Sequence, residues 1–165
     1  MIEPETVKAY ASDVRSQIKQ PVTFCENYVP WLTSLEELAA NLDVISIHTY
    51  PVWEYKTLDE AMDYTRKNFE AVQARYPNKQ VIITEAGWAT ASNGRGIPPD
   101  NVGEMLQREY LEQLLSWAEE QQILVYVFEA FDENWKGSDH PLEPEKHWGL
   151  YRADRSAKPA LSIQR

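Results

Sequence analysis

Apolar residues recur along this chain with two different periods. Val7, Tyr10, Ala11, Val14 and Ile18 fall at helical spacing, which predicts an amphipathic helix over roughly 5–19. Pro4 and Glu5 suit its first turn. PVTFCEN (21–27) then reads as a short strand, opened by Pro21. SLEELAANL (34–42) predicts a brief helix, with Ser34 as N-cap and Glu37 completing a capping box. DVISIHTYPVW (43–53) is a second strand, stopped by Pro51. Leu58, Met62, Thr65, Phe69 and Val72 line one face of a long helix, capped by Thr57 with Glu60 three residues on and ended by Pro77-Asn78. KQVIITEAGW (79–88) is a third strand. A loop with Gly94, Gly96, Pro98 and Pro99 leads to Asp100, and a second long helix turns Leu106, Tyr110, Leu114 and Trp117 inward. ILVYVFEAFDENW (123–135) is a fourth strand, Gly137 to Pro144 a loop, and DRSAKPAL the approach to a terminal helix.

Strands alternating with helices predict βαβ units around a parallel sheet, an α/β fold. The strands are mostly apolar, as expected where both faces are covered. The chain has 165 residues and four predicted strands, too few for a TIM barrel of about 250 residues and about right for half of one, a (β/α)4 unit. A small doubly wound domain is the alternative. Strand parity adds direction. Ser46, His48 and Tyr50 point one way and Ile45 and Ile47 the other; in the third strand, alternation groups Val81, Ile83 and Glu85.

Polar and aromatic residues gather where these strands end: Cys25-Glu26-Asn27-Tyr28, His48-Thr49-Tyr50-Pro51, Glu85 and Trp88, then Glu129 and Asp132-Glu133-Asn134-Trp135-Lys136. The C-terminal ends of parallel strands are where α/β enzymes place their sites. A carboxylate at the end of a buried strand is disfavoured by desolvation unless neighbours support its charge. Glycoside hydrolysis is a chemistry that needs such groups, as a pair. Trp88, Trp135, Tyr50 and Trp53 offer faces on which sugars stack. The blander readings stand beside these. Glu85 pairs with Lys136 or Arg95; Glu26 either meets sugar or is solvated; Glu129 faces the helices. Asp132 and Asn134 hold loops, and Trp31, Trp117 and Trp148 are packing residues. His48 lines the site or bonds structurally, since His140 and His147 give no zinc-site spacing.

The net charge of −10 argues against nucleic acid and against an anionic membrane surface, and suits a neutral partner such as a sugar. The single cysteine, Cys25, excludes an internal disulfide and has no evident histidine partner for nucleophilic catalysis. No apolar run approaches the ~20 residues of a membrane-spanning helix. No secretory signal precedes IEPETVKAY, so the expectation is a cytoplasmic chain or one without its natural N-terminus.

ITEAGWAT resembles the strand-seven segment around the nucleophile of glycoside hydrolase family 17, the β-1,3-glucanases and glucanosyltransferases. FEAFDENWKG followed by HWGLY resembles that family's strand eight and closure, and HTYPVW the end of its strand six. Order and spacing agree across essentially all 165 residues, as strands five to eight of the barrel. The resemblance implies Glu85 as the nucleophile of a retaining mechanism on β-1,3-glucan. It implies Glu133, Lys136 and Glu145 as a charged cluster beside it, Tyr50 near the sugar ring, and no cofactor or metal. His48, Trp88, Trp135 and Glu26 are the further substrate-binding candidates. A secreted, periplasmic or membrane-attached extracytoplasmic location is also implied, although this chain carries no signal for it. The family's proton donor is a Glu preceded by Asn at the end of strand four, and no Asn-Glu dipeptide occurs here. The chain alone is therefore expected to be a poor hydrolase, and its open edges to pair with a missing N-terminal half or with a second copy. A non-catalytic half-barrel module and another retaining family of the same barrel type are the competing readings.

Overall fold

A computed structural model describes residues 3–163. Its order is α1 (Pro4–Gln17), β1 (Cys25–Asn27), α2 (Tyr28–Thr33), α3 (Glu36–Ala40), β2 (Val44–Thr49), α4 (Leu58–Arg75), β3 (Gln80–Ala86), α5 (Glu104–Gln121) and β4 (Val125–Val127). The four strands form one parallel sheet in the order β1-β2-β3-β4. Neighbours in sequence are neighbours in space, the connectivity of a barrel wall rather than of a doubly wound sheet, whose order reverses at a switch point.

One face of the sheet carries the core. Ile45, Ile47, Val81 and Ile83 pack with Trp31, Leu38, Val72 and Leu114 from the helices, all buried. Strand alternation sends Cys25, Ser46, Ile82 and Tyr126 to the other face, outside the helix-packed core, with Ser46 and Ile82 buried. Cys25 and Tyr126 are exposed there. β1 and β4 are each paired on one side only within the described residues.

The caps show what local sequence decides. Thr57 and Glu60 form the expected capping box, the Glu60 carboxylate accepting the Thr57 N–H at 3.0 Å. Ser34 does not cap α3, whose N-cap is Leu35. It ends α2 instead, its N–H donating to the Pro30 carbonyl, and α2 itself breaks the stretch read as plain strand and loop. Glu37 is taken by Lys8 of α1 at 2.7 Å. Asp100 lies within a 3-10 turn, Pro99–Asn101, and α5 begins after Gly103. The terminal helix is likewise a 3-10 turn, Pro159–Ser162. α1 carries a further correction. Its Ala11 is buried, but Tyr10, Val14 and Ile18 of the same apolar stripe stand 66%, 46% and 44% exposed among the described residues.

Candidate active site

β3 contains one extra residue. Ile47 pairs with Ile83, yet His48 pairs with Glu85, and β4 shows the same slip between Val125 and Val127. Strict alternation would place Glu85 with Val81 and Ile83 under the helices. The β-bulge at Thr84 turns it instead to the side of Ser46 and His48, and leaves Ala86 buried in the core. The parity grouping read from sequence is thus corrected, and the bulge is what brings the carboxylate to the open face.

Once there, Glu85 is held from β2. The Tyr50 hydroxyl donates to its Oε2 at 2.6 Å. His48 Nδ1 lies 3.3 Å from the same oxygen. Among the described residues both contacts fall on Oε2, and Oε1 accepts no hydrogen bond. Burial, then the bond to Glu85, pushes the Tyr50 phenol far above its usual range and keeps it a donor at every working pH. The ion pairs of the alternative reading do not form: Glu85 meets neither Lys136 nor Arg95.

Tyr50, Trp53, Phe128, Glu145 and Trp148 complete a pocket of about 180 Å³ around Glu85. Trp148 lies edge-on to Tyr50 with ring centroids 5.1 Å apart. Trp53 and Glu145 also line an adjoining cleft of about 540 Å³ with Arg95, Gly96 and Glu143. Gly96 has φ +81°, and a Cβ there would come 2.3 Å from the Trp53 ring, so glycine lets this loop lie over the indole. Gly87 serves a similar purpose behind Glu85: a Cβ would meet the Phe128 carbonyl oxygen at 2.1 Å.

Lys136 lies 2.7 Å from Glu129 Oε2 and 2.7 Å from Glu133 Oε2. Burial pulls its ammonium down, but the bonds from the two carboxylates outweigh this and hold it above the ordinary lysine range. Burial raises the Glu129 carboxyl against the pull of Lys136. It raises Glu145 as well, with Lys136 opposing and Glu143 and Glu85 adding repulsion. Two carboxylates grip the one ammonium and a third, Glu145, lies within its electrostatic reach, so negative charge outnumbers positive there.

The predicted residues divide as follows. Glu85, Tyr50, His48 and Glu145 come together, and Glu133 and Lys136 form the charged cluster with Glu129. Trp135 stands on the following loop, 76% exposed, its ring 5.8 Å from the Lys136 ammonium. Trp88 offers no wall to a sugar: it is fully buried, its indole N–H donates to the Asn101 carbonyl at 3.0 Å, and it packs on Tyr110. Glu26 pairs with Ile47 and so takes the helix side of the sheet, its carboxylate accepting the Asn27 N–H at 2.7 Å. Asp132 holds loops as expected, accepting from Gly149 N–H and from the buried Lys158 ammonium. Phe128, Trp148 and Glu129 are the residues sequence reasoning missed. Trp148 was recoverable from the HWGLY motif; Glu129 was not, because the alternating pattern fails where β4 stops after three residues.

Residues 1–149 match the model of the BtgE/BtgC glycoside hydrolase domain. A probable glucan endo-1,3-beta-glucosidase btgC of Aspergillus flavus is 30% identical over 94% of the chain and 25% of its own length. Two structures of a Rhizomucor miehei β-1,3-glucanosyltransferase superpose. The family 17 enzyme aligns at TM-score 0.83 and 25% identity, over 99% of this chain and 59% of that one. Its active-site mutant bound to laminaritriose aligns at TM-score 0.85 and 24% identity, over the same shares. The chain thus spans about a quarter of that curated relative and three fifths of the barrel enzyme. Its motifs, its half-barrel sheet and this match agree: the chain belongs to the BtgE/BtgC glycoside hydrolase family, a family 17 type of β-1,3-glucan enzyme domain.

Proposed function

We propose that this chain provides the nucleophile half of a retaining glycoside hydrolase or transglycosylase acting on β-1,3-glucan. The observation that carries the reading is the convergence of Tyr50 and His48 on one oxygen of Glu85 inside an aromatic pocket, with the other oxygen unengaged. In the reaction Oε1 of Glu85 attacks the anomeric carbon, forming an ester to the sugar as the glycosidic bond breaks. The departing oxygen takes a proton from a second carboxyl group. Water or a sugar hydroxyl then attacks the same carbon, returns a proton to that group and releases Glu85. Tyr50 and His48 fix the oxygen that does not attack, and Lys136 favours ionised carboxylates around it. No step needs a cofactor or a metal ion.

The second carboxyl group is assigned to residues outside these 165, from a partner half-barrel that closes on the open sheet. Supporting this are the absence of an Asn-Glu pair, the exposure of Cys25 and Tyr126 on the sheet face away from the core, and the three-fifths span of the barrel enzyme. In a retaining enzyme the donor belongs about 5 Å from Glu85. The test is reducing-end release from laminarin by the chain alone and with an N-terminal half-barrel of a relative. Activity should need both halves and be lost in Glu85→Gln. Full activity of the chain alone overturns the assignment of the donor, and activity surviving Glu85→Gln overturns the nucleophile.

A further inference from the structure

We propose that Glu129 is a positioning residue for this reaction, acting through Lys136; the proposal rests on the reading of Glu85 as nucleophile. Lys136 sits on the irregular loop after β4, and its ammonium is gripped by two carboxylates at 2.7 Å each. The two grips differ in what they are attached to. Glu133 belongs to the same loop, its carbonyl accepting the Lys136 N–H at 3.0 Å, and its N–H donates to the Lys146 carbonyl at 3.2 Å, a tie to a neighbouring turn rather than to the sheet. Glu129 is fixed to the sheet. Its N–H donates to Trp148 at 3.2 Å, its carbonyl accepts from Leu150 at 2.9 Å, and the preceding Phe128 N–H donates to Ala86 of β3 at 2.8 Å. Phe128 and Trp148 line the Glu85 pocket. The Glu129–Lys136 contact therefore ties the cation to the same framework that carries the nucleophile.

The carboxylate is an expensive choice at this place. Its Oε1 is buried with no hydrogen-bond partner among the described residues, a state that costs free energy and calls for a reason. A residue serving packing alone would be apolar. The reason on view is the ammonium, which also stands 4.6 Å from the centroid of the Phe128 ring. Held there, Lys136 offsets part of the negative charge of Glu145, which lines the Glu85 pocket. Released, it leaves that carboxylate uncompensated beside Glu85.

The test compares wild type, Glu129→Gln, Glu133→Gln, Lys136→Met and the Glu129→Gln/Lys136→Met pair, with circular dichroism to verify the fold. Acetic anhydride labelling, read by peptide mass, reports how tightly Lys136 is held. Labelling of Lys136 should rise about tenfold in Glu129→Gln and much less in Glu133→Gln. Trapping by a 2,4-dinitrophenyl 2-deoxy-2-fluoro-β-glucoside, whose leaving group departs without a proton, reports the chemistry. Its maximal rate should fall about tenfold in Glu129→Gln with half-saturation unmoved, and the double variant should be no slower than Lys136→Met. Unchanged Lys136 labelling in Glu129→Gln overturns the proposal, as does a double variant slower than Lys136→Met by the full Glu129→Gln factor. If Glu129→Gln does not fold, Glu133→Gln decides: Lys136 still protected supports the anchor, Lys136 exposed overturns it. Wild type that is never trapped defeats the nucleophile reading, while the labelling still decides the clamp.

Discussion

At the scale of single residues, two side chains from one strand secure one oxygen of Glu85, and that asymmetry makes testable statements. Tyr50→Phe removes the 2.6 Å bond while keeping the ring against Trp148. A hydrogen bond to a charged group contributes roughly 1.5–3 kcal/mol, so glycosyl trapping should slow by about 10- to 100-fold. Glu145 supplies a pH signature. Its carboxyl is raised above 4.5, first by burial. A raised carboxyl binds its proton more tightly folded than unfolded, so its contribution to stability is complete below pH 4.5 and is lost as pH rises through the folded value. Glutamine mimics the protonated form at every pH. Glu145→Gln should therefore melt higher than wild type at pH 7, with the difference closing by about pH 4. An equal offset at both would show that burial of the charge is not the cause. Glu85, Tyr50 and His48 were legible because each ends a strand inside a recognisable motif. Trp88 was not, since beyond a strand end nothing local says whether an aromatic turns to the cleft or to α5, and its neighbour Tyr110 lies 22 residues on.

At the scale of elements, the decisive feature is the extra residue in β3. The pattern Val81, Ile83, Glu85 has period two and predicts a common face, yet the register against β2 slips by one between Ile83 and Glu85. A bulge leaves no mark in hydrophobicity; it is fixed by both neighbouring strands at once. Capping shows the same boundary of legibility. The Thr57–Glu60 box is a local exchange of hydrogen bonds and was readable, whereas Ser34 and Glu37 were drawn away by α2 and by Lys8, contacts that only the fold creates. Gly87 links the bulge to the site, because the end of β3 can approach Phe128 only without a Cβ. Gly87→Ala should cost roughly 1–3 kcal/mol by overpacking, measured by urea unfolding. Glycosyl trapping should slow as well, because the shift displaces the strand end that carries Glu85. A stability equal to wild type would show that this approach is not tight.

At the scale of the molecule, the four strands and the α/β class were readable, since alternation of strand and helix and the length of the chain leave few architectures; the strand order β1-β2-β3-β4 decided between the half-barrel and the doubly wound alternative. What could not be read was the fate of the α1 stripe. Periodicity identifies an apolar face and is silent about what covers it, and here Tyr10, Val14 and Ile18 remain exposed on α1. If a second half-barrel closes on this flank, light scattering of the chain should show association, through copies of itself or with a supplied N-terminal half. Val14→Glu with Ile18→Lys should abolish association and leave circular dichroism unchanged, because neither side chain belongs to the buried core. A monomer with fully protected amides would contradict it.

The central claim is that Glu85 is the attacking group. It is tested most directly by mass mapping of the chain after reaction with a 2,4-dinitrophenyl 2-deoxy-2-fluoro-β-glucoside, alone and with an N-terminal half-barrel. The account expects one fluoroglucosyl ester, on Glu85, formed faster when both halves are present and absent from Glu85→Gln. An ester on Glu129, Glu133 or Glu145, or the same labelling in Glu85→Gln, would contradict it.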